Sequence, residues 1–299
     1  MKKKRKKNKF INKFSKRIND GFTMTKSELK KIIIILIVLI SLSFIVFFIY
    51  KSYLFNNTYG GLGDSKDMPI CEYDLSKLKN DKNGYMSYED DRYKSRLIID
   101  VSSHNGEIDW NKVRESGVDG AMIRLGYRGY GDATIVEDEC FQKNIAGAKN
   151  AGLKVGVYFF SQATTPEEAI EEAEYVTAKI WGRGVSLPVA FDMEPFMGNE
   201  RFLNHDIKSK TEMADAFLNV ISKFGYEPIL YGNPTWLTND VDISKLTEYP
   251  VWLAHYTFST EWPYAFRMWQ FTSQGRVNGI SGDVDLNIIF DKKYSYIVL

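Results

Sequence analysis

From residue 97 onward, short apolar segments rich in β-branched and aromatic residues alternate with amphipathic segments. The apolar segments predict eight strands, at 96–102, 120–127, 154–160, 187–194, 227–232, 251–256, 267–272 and 283–289. Connections long enough for a helix follow the first five strands, whereas the last three are separated by short or broken loops. This alternation predicts an α/β fold, a modified TIM-like barrel whose last part lacks helices. An open doubly wound sheet is disfavoured because no glycine-rich nucleotide loop follows the first strand.

The ends of the predicted helices carry recognisable signals. Thr165 to Glu168 and Ser209 to Glu212 each have the form of a capping box, in which the first and fourth side chains bond to the opposite backbone N–H. Gly182 and Gly225 stand where a left-handed residue ends a helix. These signals place two long helices in the first part of the barrel.

The longest apolar run precedes the barrel. Residues 32–50, IIIILIVLISLSFIVFFIY, contain no charge, proline or glycine. A helix of that length is about 28 Å long, which is enough to cross the hydrocarbon core of a bilayer. The next residues, KSYLFNN, show no small-residue cleavage pattern. The run therefore favours an uncleaved signal anchor, a transmembrane helix, over a cleaved signal peptide or a buried core helix.

The distribution of charge gives the anchor an orientation. The whole chain has a formal net charge of +1, but residues 1–31 alone hold 13 Lys or Arg and only two acids. Because cytoplasmic flanks are enriched in basic residues, residues 1–31 are predicted to be a cytoplasmic tail and the rest to be extracellular. The predicted location is the cell membrane, with a single span. Contact of the tail with anionic lipid is favoured over binding to nucleic acid.

Residues 51–96 lack sustained periodicity. They contain a glycine cluster and then a stretch of mixed charge, a composition typical of a stalk or linker. Cys71 lies in this segment and Cys140 in the barrel, and two cysteines define no disulfide framework. The predicted organisation is therefore a tail at 1–31, an anchor at 32–50, a stalk at 51–96 and a barrel at 97–299.

Acidic residues collect at the ends of the predicted strands. Asp100 ends the first strand, Asp192 and Glu194 lie in AFDMEP, and Asp283 and Asp285 lie in the last strand. Alternate residues of a strand face the same side, so Asp192 and Glu194 share one wall, about 7 Å apart. Carboxyl groups that face one cavity cannot all ionise freely, which leaves one protonated as a general acid. Such a set of acids is typical of a glycoside hydrolase.

Aromatic residues near the strand ends offer ring faces to sugars. We select six as candidate substrate-binding residues, and expect about half of such aromatic residues to be core instead: Tyr127, Tyr158, Tyr231, Trp252, Tyr256 and Trp269.

A series of motifs, read in order along the chain, identifies a family. They are IDVSSHNGEIDW, IRLGYRG, GAKNAGLKVGVYFFSQATTPEEA, the DME of the fourth strand, LYGNPTWL, VWLAHY, MWQFTS and GISGDVDLN. Together they resemble the GH25 family of lysozymes, the muramidases of bacteria and phages, over residues 97 to about 291. The resemblance implies a (β/α)5(β)3 barrel. It also implies hydrolysis of the β-1,4 bond between N-acetylmuramic acid and N-acetylglucosamine in peptidoglycan.

Carried over residue by residue, the resemblance makes Glu194 the general acid. Asp192 would stabilise developing positive charge or orient the substrate's N-acetyl group. Asp100 and Asp285 match the family's acids on the first and last strands, and Asp283 occupies a position that varies in the family. The spacing of the carboxyl groups leaves the stereochemical route open, and retention assisted by the N-acetyl group is the hypothesis.

Other chemistries have little support in the sequence. His104, His205 and His255 lie on separate segments without metal-ligand spacing, and no nucleophile elbow of the form G-x-S-x-G is present. We therefore expect no metal, no cofactor and no nucleic-acid partner. The expected partners are peptidoglycan glycan strands and the membrane, with cell-envelope, secretion or conjugation machinery as further candidates. A non-catalytic glycan-binding or scaffold module and a hydrolase of chitin-like polymers remain as alternative functions.

Overall fold

The computed structural model describes residues 33–46, 68–195 and 205–293. The chain divides into two units, Met1–Asn57 and Thr58–Leu299. In the first unit, residues 33–46 form helix α1, whose large apolar side chains are exposed. Within the three described ranges, no helix combines the length and apolar character needed to cross a membrane. The predicted tail and both ends of the predicted anchor lie outside the described residues.

The second unit is a mixed α/β domain. Its strands are β1 (Lys79–Asn80), β2 (Met86–Ser87), β3 (Tyr93–Val101), β4 (Gly120–Arg128), β5 (Ile135–Glu137), β6 (Lys154–Phe160), β7 (Val189–Asp192), β8 (Pro228–Gly232), β9 (Val251–Ala254), β10 (Met268–Gly275) and β11 (Val284–Lys292). Its α-helices are α2 (Trp110–Glu115), α3 (Phe141–Asn150), α4 (Pro166–Ile180), α5 (Ile207–Lys223) and α6 (Pro234–Asn239).

Eight of these strands form a closed barrel. Their order is β3-β11-β10-β9-β8-β7-β6-β4, and a further pairing of β3 with β4 closes the sheet. Strand β11 runs antiparallel to both of its neighbours, and the other barrel pairs are parallel. An α-helix follows each of the first five barrel strands, and none separates the last three. The predicted closed α/β barrel is confirmed.

The helix ends follow the sequence signals with one exception. The Thr165 side chain accepts a hydrogen bond from the backbone N–H of Glu168 and starts α4. Gly182 and Gly225 adopt the predicted left-handed conformation, with φ of 70° and 82°. Helix α5, however, begins at Ile207, because Asp206 accepts a hydrogen bond from the backbone N–H of Ser209 and is the actual cap. The predicted start at Ser209 is therefore one turn too late.

Residues 68–96 pack against the barrel, unlike the stalk that their composition predicts. The Tyr73 ring stacks on Phe290 with ring centroids 3.9 Å apart, and its hydroxyl donates to the backbone oxygen of Phe266. Met86 and Tyr88 are buried in the main hydrophobic core. The predicted boundary at residue 97 falls inside β3. These anchoring side chains follow neither helical nor strand periodicity, so the sequence pattern does not reveal their burial.

The barrel interior is apolar toward the N-terminal ends of its parallel strands, which we call the lower end, and polar toward their C-terminal ends, the upper end. A small cluster that includes Ile98, Met122, Ala190, Met268 and Ile289 fills the interior. Because alternate residues of a strand face the same side, the next inward positions toward the C-terminal ends of the parallel strands are polar. These positions are Asp100, Arg124, Asp192 and Gln270.

Candidate active site

All four acids that the sequence predicts as catalytic meet at one end of the barrel. Asp192 is the last residue of β7, and Glu194 follows it by two positions. Asp100 lies near the end of β3, and Asp285 lies opposite it in the register of β11. Asp285 reaches this end from the start of its strand because β11 runs in the opposite direction. The C-terminal ends of parallel strands are where barrel enzymes place their reactive groups.

Asp100 and Asp285 form one carboxyl pair. Burial, and then the charge of Asp100, raise the pKa of Asp285 to about 8. Burial also raises the pKa of Asp100, against the effect of the hydrogen bonds that it accepts. The two side chains share a hydrogen bond. At neutral pH Asp285 therefore keeps its proton, and its hydroxyl donates a hydrogen bond to the Asp100 carboxylate.

Asn287 fixes one side of Asp100. Its Nδ2 donates to Asp100 Oδ2 at 2.7 Å, and its Oδ1 accepts from Trp252 Nε1 at 2.8 Å. An indole N–H can only donate, so it determines which end of the Asn287 amide faces the aspartate. Trp252 therefore acts on the site through this amide.

Gln270 supplies a second donor to the same oxygen. Its Nε2 donates to Asp100 Oδ2 at 2.9 Å. The amide oxygen of Gln270 accepts from the hydroxyls of Tyr231 and Tyr256, each at 3.1 Å. Two amide N–H groups on one carboxylate oxygen favour the ionised form of Asp100, which agrees with a proton held by Asp285.

Asp192 and Glu194 form the second carboxyl pair. Burial is the largest cause that raises the pKa of each, and the charge of Asp100 raises both further. The charge of Glu194 adds to the rise for Asp192, and a hydrogen bond between the two side chains raises the pKa of Asp192 and lowers that of Glu194. In the protein without substrate, the proton of the pair therefore lies on Asp192. Asp192 Oδ1 is buried and has no hydrogen-bond partner among the described residues. A pair of this kind retains a proton at neutral pH, which general acid catalysis requires.

Arg124 places a positive charge beside these acids. It lowers the pKa of Asp192, in opposition to burial and to the other carboxyl groups. Its guanidinium donates to Asp138 Oδ2 at 2.8 Å and to Ser103 Oγ at 3.0 Å. The guanidinium carbon lies 5.6 Å from the centre of the Tyr127 ring. Arg124 is therefore held in a fixed position on the inner side of β4.

Three of the six predicted substrate-binding aromatic residues have accessible surface at this end. Tyr256 is 57% exposed. Tyr127 and Tyr158 are half-buried, and the Tyr158 ring packs edge-on against Trp252. Their positions agree with contact to a bound sugar.

The other three aromatic residues are buried. Tyr231 and Trp252 lie in the barrel interior below the carboxyl groups, where their polar atoms hold Gln270 and Asn287. Trp269 lies on the outer side of β10, fully buried, and donates to the backbone oxygen of His255. A substrate-binding role does not fit Trp269 or Trp252, because neither exposes a ring face.

Two clefts lie near the carboxyl groups, although none of the four acids lines either cleft: Arg124 lines one and Tyr256 the other. The Tyr127 cleft, of about 730 Å³, is lined by Tyr127, Arg124, Tyr130 and Phe160, among others. The Tyr256 cleft, of about 560 Å³, is lined by residues that include Tyr256, Phe258, Arg276 and Asn83. A third cavity, of about 780 Å³, lies at the opposite end of the barrel, beside Arg96, Lys154 and Arg267. An extended substrate can thus leave the carboxyl groups on two sides.

Sequence reasoning missed Arg124, Gln270 and Asn287. Each is a polar side chain inside an otherwise apolar strand, and such a residue is costly to bury without a partner. Asn287 also lies two residues after Asp285, which places both on one side of β11. Polar residues at inward strand positions are therefore the signal that identifies these partners.

Across residues 33–46, 68–195 and 205–293, no group of three or more His, Cys, Asp or Glu is arranged to hold a metal ion. His255, next to the predicted substrate wall, has its Nδ1 2.8 Å from Thr260 Oγ1, and burial lowers its pKa. Cys71 and Cys140 are both free thiols.

Comparisons with known proteins agree with this geometry. The family model described as glycosyl hydrolases family 25 matches residues 99–280. The autolytic lysozyme of Clostridium acetobutylicum is 29% identical over 190 residues, which cover 63% of this chain and 54% of the relative. Lysozyme M1 of Streptomyces globisporus is 27% identical over 199 residues, 63% of this chain and 66% of the relative. The chain therefore spans less than two thirds of the length of these relatives.

A solved structure shares the fold. The modular autolysin LytC from Streptococcus pneumoniae, in complex with a synthetic peptidoglycan ligand, superposes with a TM-score of 0.57 at 24% identity. The match covers 74% of this chain and 52% of LytC.

Proposed function

Because the chain belongs to glycosyl hydrolase family 25, we propose that it is a peptidoglycan hydrolase. It cleaves the β-1,4 bond between N-acetylmuramic acid and N-acetylglucosamine. The observation that carries this proposal is the meeting of four carboxyl groups at the strand ends of a barrel that matches the family. Lysozyme activity in two relatives and the peptidoglycan ligand of LytC support the choice of substrate.

In the proposed mechanism, Glu194 and Asp192 have different roles in the first step. Glu194 gives its proton to the glycosidic oxygen as the bond from that oxygen to the anomeric carbon breaks. The acetamido oxygen of the substrate attacks the anomeric carbon, and Asp192 stabilises the positive charge that forms. This role requires that the proton shared by the two acids passes from Asp192 to Glu194 when the substrate binds. The unpartnered Oδ1 of Asp192 supports this role, since it is available to accept the acetamido N–H.

The second step returns Glu194 and the acetamido group of the substrate to their starting forms. A water molecule attacks the anomeric carbon, gives a proton to Glu194 and releases the acetamido group. The anomeric configuration is thereby retained. Proton NMR of the first product formed tests this route, and a product of inverted configuration would rule it out.

The catalytic proposal is tested by clearing of purified cell walls by the full-length protein. We expect Glu194→Gln to lower the clearing rate by about 10²- to 10⁴-fold, because the leaving oxygen loses its proton donor. Glu115→Gln, a matched change at an exposed position of α2, is the control and keeps full activity. Equal clearing by the Glu194 variant would remove this residue from the general-acid role.

Two other functions predict different results. A non-catalytic wall-binding module would not clear walls, and Glu194→Gln would leave its wall association intact. A hydrolase of chitin-like polymers would release products from chitin in preference to peptidoglycan. Mass spectrometry of both digests separates these cases, since the proposed enzyme leaves N-acetylmuramic acid at the reducing end.

We also propose that residues 32–50 anchor the enzyme in the cell membrane with the barrel outside. The uncharged 19-residue run and the excess of basic residues before it support this arrangement. An enzyme anchored in this way acts on wall within its reach, during division, sporulation, secretion or conjugation. The full-length protein should stay with membranes through alkaline extraction, and deletion of 32–50 should release it. Release of the full-length protein would contradict the anchor.

A further inference from the structure

We propose that the β1–β2 hairpin and Phe258 add a sugar-binding subsite to the Tyr256 cleft. The enzyme then holds a longer stretch of glycan than the carboxyl groups act on. This inference rests on the proposed function, and names the part of the polymer that the cleft binds. The hairpin precedes residues 99–280, the region that the family model matches.

The hairpin is a built structure. Strands β1 and β2 pair antiparallel, and Asp81 Oδ1 accepts hydrogen bonds from the backbone N–H groups of Asn83 and Tyr85. Gly84 has φ of 80°, a conformation that favours glycine and that completes the turn. Met86, at the start of β2, is buried in the core and anchors the hairpin to the barrel.

The turn of the hairpin lies against the end of β10. The Tyr85 hydroxyl donates to the backbone oxygen of Arg276 at 3.1 Å. Arg276 in turn pairs with Asp283 at 2.8 Å. This contact places Asn80 and Asn83 in the wall of the Tyr256 cleft, opposite residues of the β9–β10 connection.

The chemistry of the cleft fits a sugar ring. Phe258 is 78% exposed and Tyr256 is 57% exposed, so two aromatic faces are open to solvent in one cleft. The side chains of Asn80 and Asn83, also exposed, carry amide donors and acceptors. A pyranose has an apolar face for the rings and a rim of hydroxyls for the amides. The volume of about 560 Å³ lies within the usual range of ligand sites.

The cleft is linked to the carboxyl groups through Tyr256, whose pKa is raised by burial and then by the nearby charges of Asp285, Asp100 and Glu194. Tyr256 lines the cleft, and its hydroxyl donates to Gln270, which donates to Asp100. The occupant favoured by this link is the next part of the same glycan strand, because Tyr256 belongs both to the cleft and to the side chains around the carboxyl groups.

The test compares cleavage of short and long peptidoglycan glycan fragments by the full-length protein. We expect the ratio of kcat/KM for long over short fragments to fall about tenfold in Phe258→Ala, since the distal sugar loses its aromatic face. Asn83→Ala should lower the same ratio by a smaller factor. Phe224→Ala, which removes an exposed phenylalanine at the end of α5, is the matched control and keeps the wild-type ratio.

An unchanged ratio in Phe258→Ala and Asn83→Ala would overturn the subsite and leave the proposed function standing. Binding is measured separately, by calorimetry of long fragments with two proteins: the Glu194→Gln variant, and the double variant that also carries Phe258→Ala. Weaker binding with Phe258→Ala supports the subsite even if the wild-type protein cuts no fragment, a result that would instead refute the proposed function. Equal affinity of both proteins overturns the subsite.

Discussion

Strand β11 carries an aspartate at each end of the barrel, and the two differ in what surrounds them. Asp285 faces another acid, Asp100, and burial together with that charge raises the pKa of Asp285 to about 8. Asp291, six positions later, receives hydrogen bonds from Arg96 and Arg267. Burial alone would raise the pKa of Asp291, but these two guanidinium groups lower it.

The two ends of the barrel therefore differ in how their charges are balanced: the upper end gathers acids around the candidate active site, and the lower end pairs acids with arginines. At the lower end, the partly buried charges of Asp291, Arg96 and Arg267 are paired, and we expect these ion pairs to add to the free energy of unfolding. At the upper end, four acids are held together with Arg124 as a partial counter-charge, an arrangement that costs stability. Proteins retain such costly clusters where a function requires them.

The largest effect is expected from a change at the upper end. Asp192→Asn should lower the rate of wall cleavage by about 10²- to 10³-fold, because the positive charge that forms in the reaction loses its stabilising carboxylate. The same change should leave the free energy of unfolding equal or raise it, because it removes repulsion from Glu194. Activity assays and urea denaturation on one preparation measure both. A stability loss without loss of rate would reverse the assignment of this end.

The opposite result is expected at the lower end. Asp291→Asn should lower the free energy of unfolding by about 2 kcal/mol, because Arg96 loses its carboxylate partner and Arg267 keeps only Glu227. Cleavage at 25 °C should be retained. Urea denaturation of this variant and of Asp285→Asn provides a matched comparison on one strand. Equal stability of Asp291→Asn and the wild type would show that the ion pairs contribute nothing.

The smallest effect is a change in pH dependence. An Asp in the unfolded chain has a pKa of about 3.9. Since the pKa of Asp285 is about 8 in the folded protein, the folded state binds more protons between those values and loses stability as pH rises. Asp285→Asn should reduce this fall in Tm between about pH 4 and 8 by a few degrees.

Asp291 should behave with the opposite sign. Its pKa is lowered on folding, so its contribution is present above the unfolded pKa and is lost as pH falls through the folded value. Asp291→Asn should leave the fall between pH 4 and 8 unchanged and remove part of the acid-side loss. Identical Tm profiles for the two variants would contradict the comparison.

The barrel could be predicted from the sequence because its strands are apolar runs of regular spacing. Asp100, Asp192 and Glu194 could be predicted as neighbours for the same reason, since each lies at the C-terminal end of an apolar strand, whereas Asp285 lies at the start of the last strand and joins them because that strand is antiparallel. Gln270 and Asn287 could not, because their importance depends on which strands pair across the barrel. The pairing of β11 with β3 brings Asn287 to Asp100, 187 residues away in the sequence.

The aromatic residues show the limit of strand-end reasoning. Trp269 and Gln270 are adjacent, and one faces the helices while the other faces the interior. Proximity to a strand end does not reveal which of two adjacent side chains faces the interior. The side that faces inward must first be established from the pairing with a neighbouring strand. The packing of residues 68–96 was hidden for another reason, because Tyr73 and Met86 are isolated apolar residues in a polar segment.

The closure of the barrel has a consequence for the timing of activity. Asp100 belongs to the first strand of the barrel, and Asp285 and Asn287 belong to the last. A chain still being synthesised therefore carries Asp100, Asp192 and Glu194 before Asp285 and Asn287 exist. Under the proposed function, a chain that lacks the last strand lacks one of the four acids and both ends of the barrel closure, so we expect wall cleavage to begin only when nearly the whole polypeptide has been made and folded.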